Sequence, residues 1–174
     1  MKYKDFIMID FDTKYFMMSF RFNKETPKDF GLIKSNSTNI YISPLDKSLW
    51  KKRNLYDFGW GNENGYYRLP LGEFEDLIDI ILNTNSDENK YGAAAVILDD
   101  YCDKLLIKCQ ELLKDNMRIK EYLEFFKILK LDISINRSNT HGKNFKEVSK
   151  EFDKWKDISE QIQSLLKINN HKTR

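Results

Sequence analysis

Apolar residues along the chain change their period near residue 72, alternating in twos before it and recurring in threes and fours after it. In residues 14–22, Phe16, Met18, Phe20 and Phe22 alternate with Tyr15, Met17, Ser19 and Arg21, the signature of a half-buried strand. A strand over 2–12 precedes it, and the short link Asp12-Thr13-Lys14 predicts an antiparallel hairpin. The polar passage 23–39, with its Pro and Gly, reads as a loop with at most one turn of structure. Asn39–Ser43 reads as a third strand, and Ser43-Pro44 as the start of a short helix through about Lys52. Residues 54–72 hold glycines and asparagines among aromatics. They predict an irregular or hairpin-like loop turning near Asn64-Gly65, then a strand over Tyr66–Leu69.

Beyond residue 72 the period is helical. Phe74, Leu77, Ile78 and Ile81 mark one face of a helix over about 73–82. The densest apolar segment, 88–113, follows Ser86, whose hydroxyl predicts an N-cap, with Asp87 and Glu88 at the positive end of the helix dipole. Ala94, Ile97, Leu98 and Tyr101 predict one apolar face. The small side chains of Gly92, Ala93, Ala94 and Ala95 allow another element to approach closely. A break is expected at 99–103, because Asp bonds its own backbone in competition with helix. Leu105, Leu106, Cys109, Leu112 and Leu113 then begin a second helix. A third is expected over 117–131, while 131–135 fits either a strand or a helix end. Phe145, Val148, Phe152, Trp155, Ile158, Ile162 and Leu165 predict one long final helix, with a frayed tail over 169–174.

The fold class that follows is α+β. An antiparallel sheet of about three to five strands from residues 2–70 packs with four to five helices from 71–168, one of them long and terminal. At 174 residues the expectation is a single domain. No apolar run reaches the roughly 18 residues needed to span a membrane. The first dozen residues carry acids and lack a small-residue cleavage site, unlike a signal peptide. The expected location is therefore cytoplasmic, with no membrane partner. Cys102 and Cys109 lie two helical turns, about 10 Å, apart, beyond disulfide reach. They read as buried thiols. The two histidines, His141 and His171, sit in polar surroundings, so no metal and no cofactor is expected.

Charge changes this picture more than composition does. The net charge of +2 hides a segregation: +4 over residues 1–70, −7 over 71–115 and +5 over 116–174. Glu73, Glu75 and Asp76 crowd the start of one predicted helix, and Asp99, Asp100 and Asp103 cluster at the predicted break. An acidic patch of this kind steers and holds a basic partner; the alternative is a set of ordinary solvated helix faces and caps. The aromatic stretch offers a second recognition surface in Trp50, Tyr56, Trp60, Tyr66 and Tyr67, because rigid aromatics supply contact area at low entropy cost. The same residues could instead close one end of a core.

Two competing chemistries can be written down. Asp10 and Asp12, with acids from 99–103, could hold a divalent metal in a hydrolase or nuclease, though no Lys or His accompanies them in a recognisable order. Lys51, Lys52, Arg53 and Arg68 could form a basic groove beside stacked aromatics for nucleic acid. The small net charge and the lysine excess, 23 against 6 arginines, argue against that reading. Phosphate-binding, zinc-protease and serine-hydrolase motifs are all missing, and no catalytic residue stands out. The sequence therefore points to an intracellular protein-binding module, of inhibitor or immunity type, that engages a basic protein through its acidic segment.

Overall fold

The computed structural model describes residues 9–18, 26–57, 61–115, 119–133, 137 and 140–171, without the side chains of 56, 57, 61–64, 170 and 171. It is α+β. Among the described residues, five strands form one antiparallel sheet: β1 (Phe16–Met18), β2 (Ile33–Lys34), β3 (Ile40–Ile42), β4 (Leu49–Asp57) and β5 (Gly61–Leu69). Their order is β1-β5-β4-β3-β2. Five α-helices follow among the described residues: α1 (Phe74–Asn83), α2 (Asp87–Asp100), α3 (Cys102–Lys114), α4 (Leu123–Ile128) and the long α5 (Phe145–His171). Two compact units make up the chain, Met1–Ala95 and Val96–Arg174, with the boundary inside α2. Among the described residues no helix is long and apolar enough to cross a membrane.

In the first unit both faces of the sheet carry buried side chains. Register places Met17 opposite Tyr66 and Tyr41 opposite Trp50 on one face. With Leu32 they form a closed cluster, against which Phe30 packs. Tyr66 meets Phe30 and Tyr41 edge-on, at centroid distances of 5.2 and 5.0 Å, the arrangement that ring quadrupoles favour. Burial, with Tyr41 alongside, pushes the Tyr66 phenol up to about 12. Phe16, Met18 and Leu55 lie on the opposite face and are equally buried. All three β1 residues are therefore buried, not half of them as the alternation predicts.

Among the described strands β1 lies at an edge of the sheet, and the start of α2 takes up its outer backbone amides. The Asn89 side-chain oxygen accepts the amides of Tyr15 (2.8 Å) and Phe16 (3.1 Å), and Glu88 accepts the amide of Met18 at 3.3 Å. Lys14 pairs with Glu88 at 2.6 Å. An edge whose N–H groups are taken up in this way offers no template for another chain. Ser86 caps α2 as expected, its hydroxyl accepting the Asn89 amide at 3.3 Å.

Several expected elements are corrected. The residues Ile9–Asp12 form no strand. Asp10 instead closes a turn, accepting from the Asp12 amide (3.1 Å) and the Thr13 hydroxyl (2.9 Å); the rest of the expected first strand falls outside the described residues. No helix starts at Ser43-Pro44. Those residues enter the turn from β3 to β4, closed by Ser43 N–H on Ser48 C=O at 3.0 Å. Ser48 donates to Asp46 through its hydroxyl (2.6 Å) and its amide (3.1 Å), and Trp50 Nε1 donates to the Ser48 hydroxyl at 2.8 Å. The Ser48 and Ser43 hydrogen bonds hold the Asp46 carboxyl at about 2. Its ionised form thus favours the fold fully above the ordinary carboxylate range, and that contribution fades as pH falls toward 2. Solvent exposure keeps it small.

The stretch expected to be a hairpin-like or irregular loop followed by a strand over Tyr66–Leu69 belongs to a regular hairpin, with Leu49 opposite Leu69 and Asp57 opposite Gly61. Gly65 is not its turn but an interior strand residue. A side chain there would run into Leu55 and would lie 2.9 Å from the Met17 carbonyl oxygen.

In the second unit, α3 buries Leu105, Leu106, Cys109 and Leu112. The expected third helix is shorter, a 3₁₀ turn over Ile119–Tyr122 leading into α4. It ends where Lys130 takes a left-handed φ of 48°. There the Leu131 amide reaches back to the Phe126 carbonyl and the Lys130 amide to that of Lys127, a Schellman stop sealed by the buried Leu131. Residues 131–133 are accordingly turn and bend. Asn144 and Glu147 cap α5 reciprocally, at 3.1 and 2.8 Å. Its buried seam is Trp155, Ile158, Ile162 and Leu166, whereas Phe145, expected at its head, is 88% exposed. The helix continues to His171.

Candidate functional site

The expected break between two helices is a single residue, Tyr101. Its amide donates to Ile97 C=O at 3.0 Å and its carbonyl accepts the Leu105 amide at 2.8 Å. It therefore ends one ladder and starts the next, at φ −129°, ψ 24°. The chain changes direction there, and the junction holds a cleft of about 540 Å³ lined by Leu98, Asp99, Asp100, Tyr101, Cys102, Asp103, Lys104 and Arg137. Asp99, Asp100 and Asp103 are all exposed at this cleft.

Cations frame the acids. Arg137 Nη2 donates to the Lys130 carbonyl at 2.6 Å, which fixes its guanidinium at the wall. The Lys143 ammonium bridges Asp103 (3.3 Å) and Glu151 (2.7 Å), and those carboxylates, Glu151 first, raise its pKa. Lys104 lies over the Tyr101 ring, 5.2 Å from its centroid. Asp103 is thus partly neutralised within the chain.

This wall carries no activated nucleophile. The Cys102 thiol donates to Leu98 C=O at 2.6 Å. Burial raises its pKa, Arg137 and Lys143 opposing the rise and Asp103 and Asp99 adding to it. Cys109, fully buried on the same helix, is pushed up to about 12 by burial. A metal-bound or cation-flanked thiolate shifts the other way. Both thiols should therefore react slowly with an aromatic disulfide reagent in the native protein at about pH 7.5 and at once in denaturant. A native thiol that reacts as fast as a free one would refute this account.

No known family model, curated protein or solved structure matches this chain. The site must be judged from its own residues.

Among the described residues, no three His, Cys, Asp or Glu side chains are placed to hold a metal ion. Asp10, one of the expected metal ligands, spends both oxygens inside its own turn. Of the acids expected at a partner face, Asp99, Asp100 and Asp103 share the cleft. Glu73, Glu75 and Asp76 begin α1 in the other unit, where Asp76 accepts the Glu73 amide at 2.7 Å as a helix cap.

The aromatic surface is corrected. Trp50 and Tyr66 are each 2% exposed inside the sheet cluster and present no face to a partner. Tyr67 is half-buried; the side chain of Tyr56 and the whole of Trp60 lie outside the described residues. The basic groove is corrected too. Lys51 and Lys52 are neighbours on a strand and point to opposite faces, and Arg68 pairs with Asp46 at 3.3 Å. Sequence reasoning missed Arg137 and Lys143, the cations that shape the cleft. They lie more than 30 residues from the acids and carry no local signal.

Proposed function

We propose that this protein is a non-enzymatic binding module whose acidic cleft at the α2–α3 junction receives cationic side chains of a basic protein partner. The observation that carries the reading is the presence of three exposed carboxylates, Asp99, Asp100 and Asp103, on one cleft of about 540 Å³. Such a mouth concentrates field lines and accelerates encounter with an oppositely charged surface. The raised pKa values of the thiols and the local engagement of Asp10 weigh on the side of binding. An inhibitor or immunity role, in which the module masks a basic protein, is the form of binding that the sign of the charge supports.

The test is retention of proteins from the native lysate at about 0.05 M and about 0.5 M salt, comparing the native chain with an Asp99→Lys, Asp100→Lys, Asp103→Lys variant. A basic protein held by the native chain at low salt should be lost from the variant and weakened by salt, with affinity down at least about tenfold. A retained set indifferent to the triple substitution would overturn the proposal.

A further inference from the structure

The second sheet face, buried at Phe16, Met18 and Leu55, is open at its other end. Register there aligns Ile33, Ile42, Leu49 and Leu69 directly opposite one another across β2, β3, β4 and β5. The row is apolar across these four strands, yet Ile33 is 60% exposed and Leu49 45%, with Ile42 and Leu69 half-buried. Leu45, in the turn that joins β3 to β4 beside this row, is 95% exposed. Single exposed apolar residues are ordinary, but a contiguous row in register is not.

The cations beside the row are lysines. The next row on this face is Ile40, Lys51 and Tyr67; Lys51 is exposed there, as Lys47 is in the turn, whereas Lys34, opposite Tyr41, belongs to the other face. The described strand residues of this region, 33–34, 40–42, 49–55 and 65–69, include no acid. Asp46, in the turn, pairs with Arg68, which register assigns to the opposite face beside Trp50.

We propose that this row is a docking surface for an amphipathic helix of a partner protein whose apolar stripe is flanked by acidic residues. Three inter-strand spacings make the row about 14 Å long, the length of an apolar stripe on about ten helical residues. A helix is the layer that covers one sheet face without needing the sheet's own hydrogen bonds. The lysine rim selects the acidic flanks and works against a second copy of the same face, which would oppose lysine with lysine. The surface is built from other residues than the acidic cleft and has the opposite preference.

The probes are two synthetic helical peptides of about fourteen residues with the same leucine stripe, one flanked by Glu and one by Lys, and vesicles of phosphatidylcholine with phosphatidylglycerol. The native chain should bind the Glu-flanked peptide and prefer it over the Lys-flanked one. Leu49→Ser, at a half-exposed position, should weaken that binding about tenfold or more. Lys51→Glu, on a solvated side chain, should reverse the preference between the peptides. Circular dichroism of both variants verifies the fold, and Lys51→Glu keeps the test decisive if Leu49→Ser is unstable. Equal binding of both peptides, no binding of either, indifference to both substitutions, or binding to vesicles alone would overturn the proposal; the last result would assign the face to a membrane surface.

Discussion

Replacing Asn89 with Leu is expected to lower the stability of the fold by about 3–5 kcal/mol. Asn89 is 1% exposed and uses both ends of its amide. The oxygen accepts the Tyr15 and Phe16 amides, and the nitrogen donates to the Thr13 carbonyl at 2.9 Å and to the Thr84 hydroxyl at 3.4 Å. Leucine fits the volume but leaves at least two backbone N–H groups and one carbonyl without partners. Each such group costs about 1–3 kcal/mol when water cannot reach it. The adjacent ion pair makes a useful contrast. Lys14 is 43% exposed in its bond to Glu88, so Lys14→Ala should change stability by less than about 1 kcal/mol. Urea unfolding of both variants measures the difference, and amide exchange at Tyr15 and Phe16 locates it. An Asn89→Leu midpoint close to native, with those amides still protected, would show that α2 does not hold the β1 edge.

How far the sequence discloses this fold depends on whether an element has one buried side. α1 and α3 are one-sided: Phe74, Leu77, Ile78 and Ile81, singled out by period, are buried together with Ile80, and of Leu105, Leu106, Cys109, Leu112 and Leu113 all but the half-buried Leu113 are buried. α2 is different. Ala93, Ala94, Ala95, Val96 and Ile97 are all buried, so the single face read from Ala94, Ile97, Leu98 and Tyr101 is only part of what the middle of this helix buries. What survives in α2 is the composition of small residues, a sound sign of close approach. In the β4–β5 hairpin the turn and the strand lengths are misread for a related reason. Arg53 faces Gly65 and Asn54 faces Asn64, so turn-forming residues occupy strand interiors where tertiary contacts outweigh local propensity. At the cleft, the three aspartates are legible because they break a helix. The Lys143 bridge and the Arg137 anchor are not, because only folding brings them to those acids.

Gly92→Ala tests the close approach in α2 and should lower stability by about 2–3 kcal/mol. On propensity alone the change should help, since Ala is favoured over Gly in a helix interior by about 1 kcal/mol. The opposite sign is expected because a methyl group at Gly92 would fall onto Cβ and Cγ of Phe16. Phe16 is itself fully buried in the sheet, and its amide is held by Asn89 one turn earlier on the same helix. Neither partner can retreat without disturbing the other contact. Because the overlap involves the Phe16 Cβ and not only its ring, shortening the ring cannot relieve it. Phe16→Leu added to Gly92→Ala should leave the defect in place and add a cavity of its own. Thermal and urea unfolding of the single and double variants, assembled as a cycle, read out this coupling. A Gly92→Ala protein more stable than native would mean that the helix stands off the strand, with Asn89 no longer within reach of the β1 amides.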